Sequence, residues 1–287
     1  MNLQRQPRLL PRPLAKAQPP LRRVQQRSAG SAPWGWAASG AALGVLLGLA
    51  VFAPARWLGT WLQQASGGQL VLQDARGTLW TGSARLTLTG GAGSQDAATL
   101  PGRLQWQLRP VFMGGMGLAL QLRADGYLAQ PWTWRLAVGW GQVQLVLSDS
   151  VSQWPAQLLS GLGTPWNTVN AQGQLALTTQ AFALSWSAGR LQVAGSAQLD
   201  ALDMSSRLST LQPMGSYRFT LSGGATPGLA LSTLGGALQL SGQGEWVAGK
   251  LRFVGEASSA PESQAALSNL LNIIGRRDGA RAIIKVG

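Results

Sequence analysis

Arg103 to Arg109 reads RLQWQLR, and its period decides the fold. Leu104, Trp106 and Leu108 alternate with Arg103, Gln105, Gln107 and Arg109. A period of two sends successive side chains to opposite faces of a strand, so this stretch is apolar on one side and polar on the other. The pattern recurs outward from it. Leu118, Leu120 and Leu122 alternate with Ala119, Gln121 and Arg123, and Val143, Leu145 and Leu147 follow the same rule. Tyr217, Phe219 and Leu221 alternate with Arg218, Thr220 and Ser222, and Leu191 to Leu199 alternates with Gly195 and Ala197 on the apolar side. These runs describe half-buried antiparallel strands with one dry face.

Turn signals separate the runs: Gly90-Gly91, Asp125-Gly126, Ala188-Gly189, Gly223-Gly224, Gly235-Gly236 and Ala248-Gly249. Most of the 38 glycines therefore read as hairpin punctuation. The expected fold is an all-β domain, an antiparallel meander of about ten strands or more. It forms a curved sheet, a sandwich or an open groove, with one or two short helices. Val151 to Leu162 is the first helical stretch, with Ser150 or Ser152 as its cap. Pro261 to Gly275 is the second, with Ala265, Leu267, Leu270, Leu271 and Ile274 on one side, Pro261 in the first turn and Gly275 at the C-terminal cap. Arg281 to Val286 reads as a final strand. Seven tryptophans fall on expected strands (Trp80, Trp106, Trp132, Trp134, Trp140, Trp186, Trp246), with Trp80 and Trp106 assigned to the sheet core.

Upstream the period changes. Trp34 to Ala53, WGWAASGAALGVLLGLAVFA, carries no charge, and none occurs between Arg27 and Arg56. Twenty residues at about 1.5 Å each span about 30 Å, the thickness of a bilayer's hydrocarbon core. Trp34 and Trp36 sit at the start of the span; Arg56, Trp57 and Trp61 follow it, where interfacial anchors belong. We read one transmembrane helix, in preference to a buried soluble helix or a cleaved signal peptide. The basic arm is longer than a signal n-region, and a cut after Ala53 would leave Pro54 at the new terminus. Gly40, Gly44 and Gly48 form a double GxxxG that favours helix pairing, so a helix-mediated dimer is one expectation.

The chain carries a net charge of +13, of which residues 1–30 contribute +7 and no acid. Arg22, Arg23 and Arg27 lie nearest the span and place the amino terminus in the cytoplasm by the positive-inside rule. The layout is a disordered basic, Pro-rich cytoplasmic arm (1–33), the span (34–53), an interfacial linker (54–66) and a β domain (67–287) on the far side. Residues 1–30 have five prolines and no aromatic residue, so the arm reads as a leader that meets anionic lipid, with no nucleic-acid partner.

Cysteine and histidine are both absent. That removes thiolate catalysis, disulfides, the commonest general base and the commonest metal ligand. Asp200 and Asp203 are the only close acids and make a poor metal site without a third ligand. Lys250 and Lys285 sit in expected strands outside any serine–lysine motif. No catalytic, cofactor or metal residues are assigned, and an enzyme is not expected.

Three segments resemble the type II secretion system protein N family. The first is APARWLGTWL with LQDARGTLWTGSARL, from Ala53 through Leu86, carrying the strand signature Gly77, Thr78, Leu79, Trp80 and Gly82. The second is GRLQWQLRP, Gly102 to Pro110, and the third is Leu240 to Gly287. The resemblance implies a single-pass inner-membrane protein of Gram-negative bacteria with a periplasmic β domain and no catalytic residues. It also implies an accessory role in export of folded proteins, in contact with other bitopic inner-membrane components or the secretin. A second expectation, from the long meander itself, is a lipid-binding or lipid-transfer module with an apolar groove.

Overall fold

The computed structural model describes residues 34–112, 115–187, 189–224, 226–247, 250–279 and 281–287. The basic arm, with Arg22, Arg23 and Arg27, lies outside the described residues, as do Ala188, Ala248 and Gly249 of the expected turns. The chain divides into two units, one ending at Leu46 and one beginning at Leu47.

Helix α1 runs from Trp34 to Val51, and α2 from Ala55 to Ala65. The helix thus ends two residues before Ala53, the end of the expected span, and Ala53 is buried. The next stretch is a helix where the sequence suggests an interfacial linker. Its reason is amphipathic spacing: Ala55, Leu58 and Gly59 face the sheet while Trp57 and Trp61 stay exposed. Gly59 lies against Leu72 of β1, where a Cβ would meet the Leu72 Cβ at 3.5 Å, an ordinary van der Waals contact.

The strands follow in order: β1 (Leu70–Gly77), β2 (Thr81–Thr89), β3 (Ala97–Thr99), β4 (Leu104–Phe112), β5 (Met116–Ala124), β6 (Trp132–Gly139), β7 (Gln142–Leu147) and β8 (Ser150–Pro155). After a 3-10 turn (Ala156–Leu162) and the short α3 (Trp166–Val169) come β9 (Gln172–Ser187), β10 (Arg190–Ser205), β11 (Gly215–Gly224), β12 (Gly228–Gly236), β13 (Leu238–Val247) and β14 (Lys250–Ser259). Helix α4 (Gln264–Ile274), β15 (Arg276–Asp278) and β16 (Arg281–Val286) close the chain. Among the described residues these sixteen strands form one open sheet, antiparallel throughout, whose spatial order nearly follows the chain.

Register converts the alternation into a single apolar face, because residues paired across antiparallel strands point the same way. Trp106 pairs Leu122, which pairs Trp132; Leu145 pairs Leu184, which pairs Val193. Leu199 pairs Phe219, which pairs Leu231. The sandwich is therefore excluded in favour of a single open sheet. Two helices cover parts of its dry face. Helix α2 packs over Leu72, Ala84 and Trp106, and α4 inserts Leu267, Leu270 and Leu271 beside Tyr217, Phe253 and Ala257.

Several local expectations are corrected. Val151 to Pro155 is strand β8, paired with β9 from Thr178 to Gln174, so Ser150 and Ser152 are not helix caps; only Ala156 to Leu162 is helical. Gly195 interrupts its alternating run with a bulge at φ +72°, where a side chain would collide with the carbonyls of Gln180 and Ala181. Gly275 is the C-terminal cap of α4, as expected, but with an extended backbone (φ −164°); a Cβ there would lie 2.5 Å from the Ile283 carbonyl oxygen. Ala265 is exposed, since α4 starts at Gln264 and buries the turn beyond it. Trp140 lies in the β6–β7 turn, not on a strand.

Candidate functional site

The signature Gly77 to Gly82 forms the turn between β1 and β2, and each part of it has a mechanical task. Gly77 adopts φ +89° and would place a Cβ 2.5 Å from the Thr81 carbonyl oxygen. Thr78 closes the turn, its N–H donating to Thr81 O (2.8 Å) and its Oγ1 accepting from Thr81 N–H (3.1 Å). Leu79 N–H donates to Ala53 O (2.7 Å), and the Trp80 indole N–H donates to Ala50 O (2.8 Å). On the sheet side the Trp106 indole donates to Leu79 O (3.0 Å), and Leu108 N–H to Trp80 O (2.7 Å). Gly82 lies beneath Trp106, leaving no room for a side chain. The turn thus ties the end of α1 to the sheet. Trp106 is core, 3% exposed, whereas Trp80 is half-buried in the turn and not part of the core assigned to it.

Gly40, Gly44 and Gly48 lie one turn apart on α1, and a Cβ on any of them would meet nothing within 4 Å. Trp34 and Trp36 are exposed at the start of α1, and Arg56, Trp57 and Trp61 are exposed on α2. Helix α1 is long and apolar enough to cross a membrane, with a mean hydropathy of 1.6.

Several acidic side chains are held by structural partners. Asp74, at a β1 bulge, accepts from Arg103 Nη1 (2.7 Å) and Arg76 Nη2 (3.2 Å); these bonds, Arg103 foremost, hold its carboxyl below the usual range. Asp200 is gripped by Arg218 through two bonds of 2.8 Å and receives Gln198 Nε2 at 3.0 Å, and Arg218 chiefly lowers its pKa. Asp203 is in a left-handed bulge with its N–H bonded to Ser216 Oγ, so it does not join Asp200 in a ligand set. Among the described residues no three acids gather. The Tyr217 hydroxyl is buried in the α4 core and keeps its proton, its pKa raised by burial. Lys250 and Lys285 are exposed.

A surface that the sequence did not single out is apolar and open. At the tips of the β4–β5, β6–β7 and β9–β10 hairpins the dry face extends past both covering helices. Phe112 is 87% and Met116 74% exposed, Trp140 is fully exposed between Gly139 and Gly141, and Trp186 is half exposed. Tryptophan flanked by two turn glycines was the signal available in the sequence for this patch.

A family model described as type II secretion system (T2SS), protein N matches residues 68–284. The chain belongs to the type II secretion system protein N family. The match takes in the whole sheet from β1 to β16, apart from the last residues of β16, and begins after α2, so the Pro-Ala-Arg-Trp exit lies outside it. A search of curated proteins and a search of solved structures found no match. Family membership assigns the protein N chain to type II secretion and protein transport.

Proposed function

We propose that this chain is an accessory, non-enzymatic component of the type II secretion machinery whose sheet works as a contact surface. Trp34 to Val51 is its single inner-membrane span, with the amino terminus and Arg22, Arg23 and Arg27 in the cytoplasm and the sheet in the periplasm. Trp34, Trp36, Arg56, Trp57 and Trp61 lie at the membrane interface, and Gly40, Gly44 and Gly48 pair with a second span. The sheet contacts other bitopic inner-membrane components or the secretin during export of folded proteins. The family match over the sheet carries this reading; acids held in ion pairs and an open apolar surface agree with a contact role. The test is a deletion strain scored for secreted substrate, with photo-crosslinkers at Trp140 and Trp246. Loss of export with crosslinks to secretion components supports the reading, and export at the wild-type rate refutes it.

The uncovered part of the dry face favours one second reading, in which the same sheet holds lipid acyl chains. It predicts phospholipid or lipopolysaccharide in native mass spectra of the full chain. Spectra free of lipid would remove it.

A further inference from the structure

Cross-strand register places Phe112 opposite Met116, Met116 opposite Val138, Val138 opposite Val143, Val143 opposite Trp186, and Trp186 opposite Leu191. Six apolar side chains on six strands thus form one row, and every one of them is exposed. A contiguous apolar surface in water marks an interaction site. Its position says what the site meets. Trp80 O, in the turn that holds the end of α1, accepts from Leu108, four residues before Phe112 on β4. At about 3.3 Å per residue the hairpin tips reach about 13 Å beyond that turn, at the same end of the sheet.

Charge is distributed to match. On the opposite face near these tips Arg109 and Arg190 are exposed, and Lys250 is exposed at the β13–β14 tip of the same end; of the acids toward this end, Glu245 lies opposite Arg252 in register and Asp74, three residues before the β1–β2 turn, is held by Arg103 and Arg76. Asp96, Asp125 and Asp278 lie at the other end, in loops and turns beyond β2, β5 and β15. Aromatic and aliphatic side chains flanked by cations are the chemistry of a bilayer interface carrying anionic lipid.

We infer that the tips of the β4–β5, β6–β7 and β9–β10 hairpins form a second membrane contact, inserting the row from Phe112 to Leu191 into an anionic phospholipid surface. This rests on the reading of α1 as a membrane span, which puts a bilayer at this end of the sheet. The contact holds the domain upright on the membrane and leaves the far end of the sheet free.

The absence of cysteine makes single-site labelling direct. In the full chain, Phe112→Cys, Trp140→Cys, Asp125→Cys and, on α1, Val45→Cys each receive an environment-sensitive fluorophore. Each is reconstituted into phosphatidylethanolamine–phosphatidylglycerol vesicles containing nitroxide-labelled lipid. Labels at Phe112→Cys and Trp140→Cys are expected to be quenched at least about twofold more than the label at Asp125→Cys, and Val45→Cys to be quenched with them. Tip labels as water-exposed as Asp125→Cys, with Val45→Cys in lipid, overturn this contact and leave the span intact; a crosslinker at Phe112 in cells then identifies a protein occupant. A Val45→Cys label that stays in water overturns the span and the tip contact with it.

Discussion

Gly82 offers a close test of the junction between the β1–β2 turn and the sheet. It faces Trp106 in the β2–β4 pair, and a Cβ there would lie 2.5 Å from Trp106 Cζ2 and 2.7 Å from the Arg76 carbonyl oxygen. The indole has little freedom to withdraw. Its N–H is committed to Leu79 O at 3.0 Å, and it is packed with Ala55 and Ala84. Overpacking of this kind costs about 1–3 kcal/mol, and because one of the two contacts is backbone we place Gly82→Ala at about 3 kcal/mol. Trp106→Phe, made alone, leaves a void and an orphaned carbonyl and costs about 2 kcal/mol. In the double variant the indole contact no longer exists while the Arg76 contact persists, so the costs overlap by about 1 kcal/mol. Urea unfolding of the full chain in detergent micelles, followed by tryptophan fluorescence, reads all three, with Gly40→Ala as a control at an open position. A Gly82→Ala midpoint equal to that of the native chain would refute the packing, and strictly additive costs would refute the Trp106 contact.

Leu271→Ala removes a fully buried side chain from the α4 core and should cost about 2–5 kcal/mol, whereas Ala265→Ser at an exposed position should leave the midpoint unchanged. Asp200 titrates below its ordinary value of about 3.9 because Arg218 holds its charged form, so its contribution is present above that value and is lost as pH falls through the depressed folded pKa. Asp200→Asn should therefore lower Tm near neutrality and flatten the acid limb of the Tm profile; an unchanged limb would show that the pair contributes nothing. Replacing Gly40, Gly44 and Gly48 together with isoleucine should abolish self-association in a membrane two-hybrid reporter without shifting the urea midpoint, because among the described residues nothing lies within 4 Å of a Cβ at these positions.

The sheet was legible because its residues obey a local rule. Leu104 to Arg109 alternates without interruption, and every partner in its register does likewise, so half-burial on one face is written into each strand. Three kinds of feature escaped that rule. Bulges depend on the neighbouring strand: nothing inside Leu191 to Leu199 announces that Gly195 must clear the carbonyls of β9. Short segments bind through others, as β8 does through β9, and helical composition in Val151 to Leu162 masked the strand. The hairpin-tip surface escaped because exposure is a property of the assembled sheet, since Met116 and Leu122 look alike in sequence and differ only in what covers them. The reading of Trp80 as core differs from the structure, because a hydrogen bond to Ala50, thirty residues earlier, has no local trace.

The near agreement between strand order and chain order has a consequence for how the sheet is made. A chain synthesised from its amino terminus can pair nearly every new strand with one that already exists, so contacts stay short in sequence and closure entropy stays low. The cost is a growing edge that is always exposed. Only the last strands end it, where Arg276, Arg277 and Asp278 present charge in place of another bondable apolar edge. A chain cut short after Ser259 would keep nearly all of its sheet and lose its stop. Self-stacking of such fragments through β14, more than loss of folding, is the hazard this architecture carries.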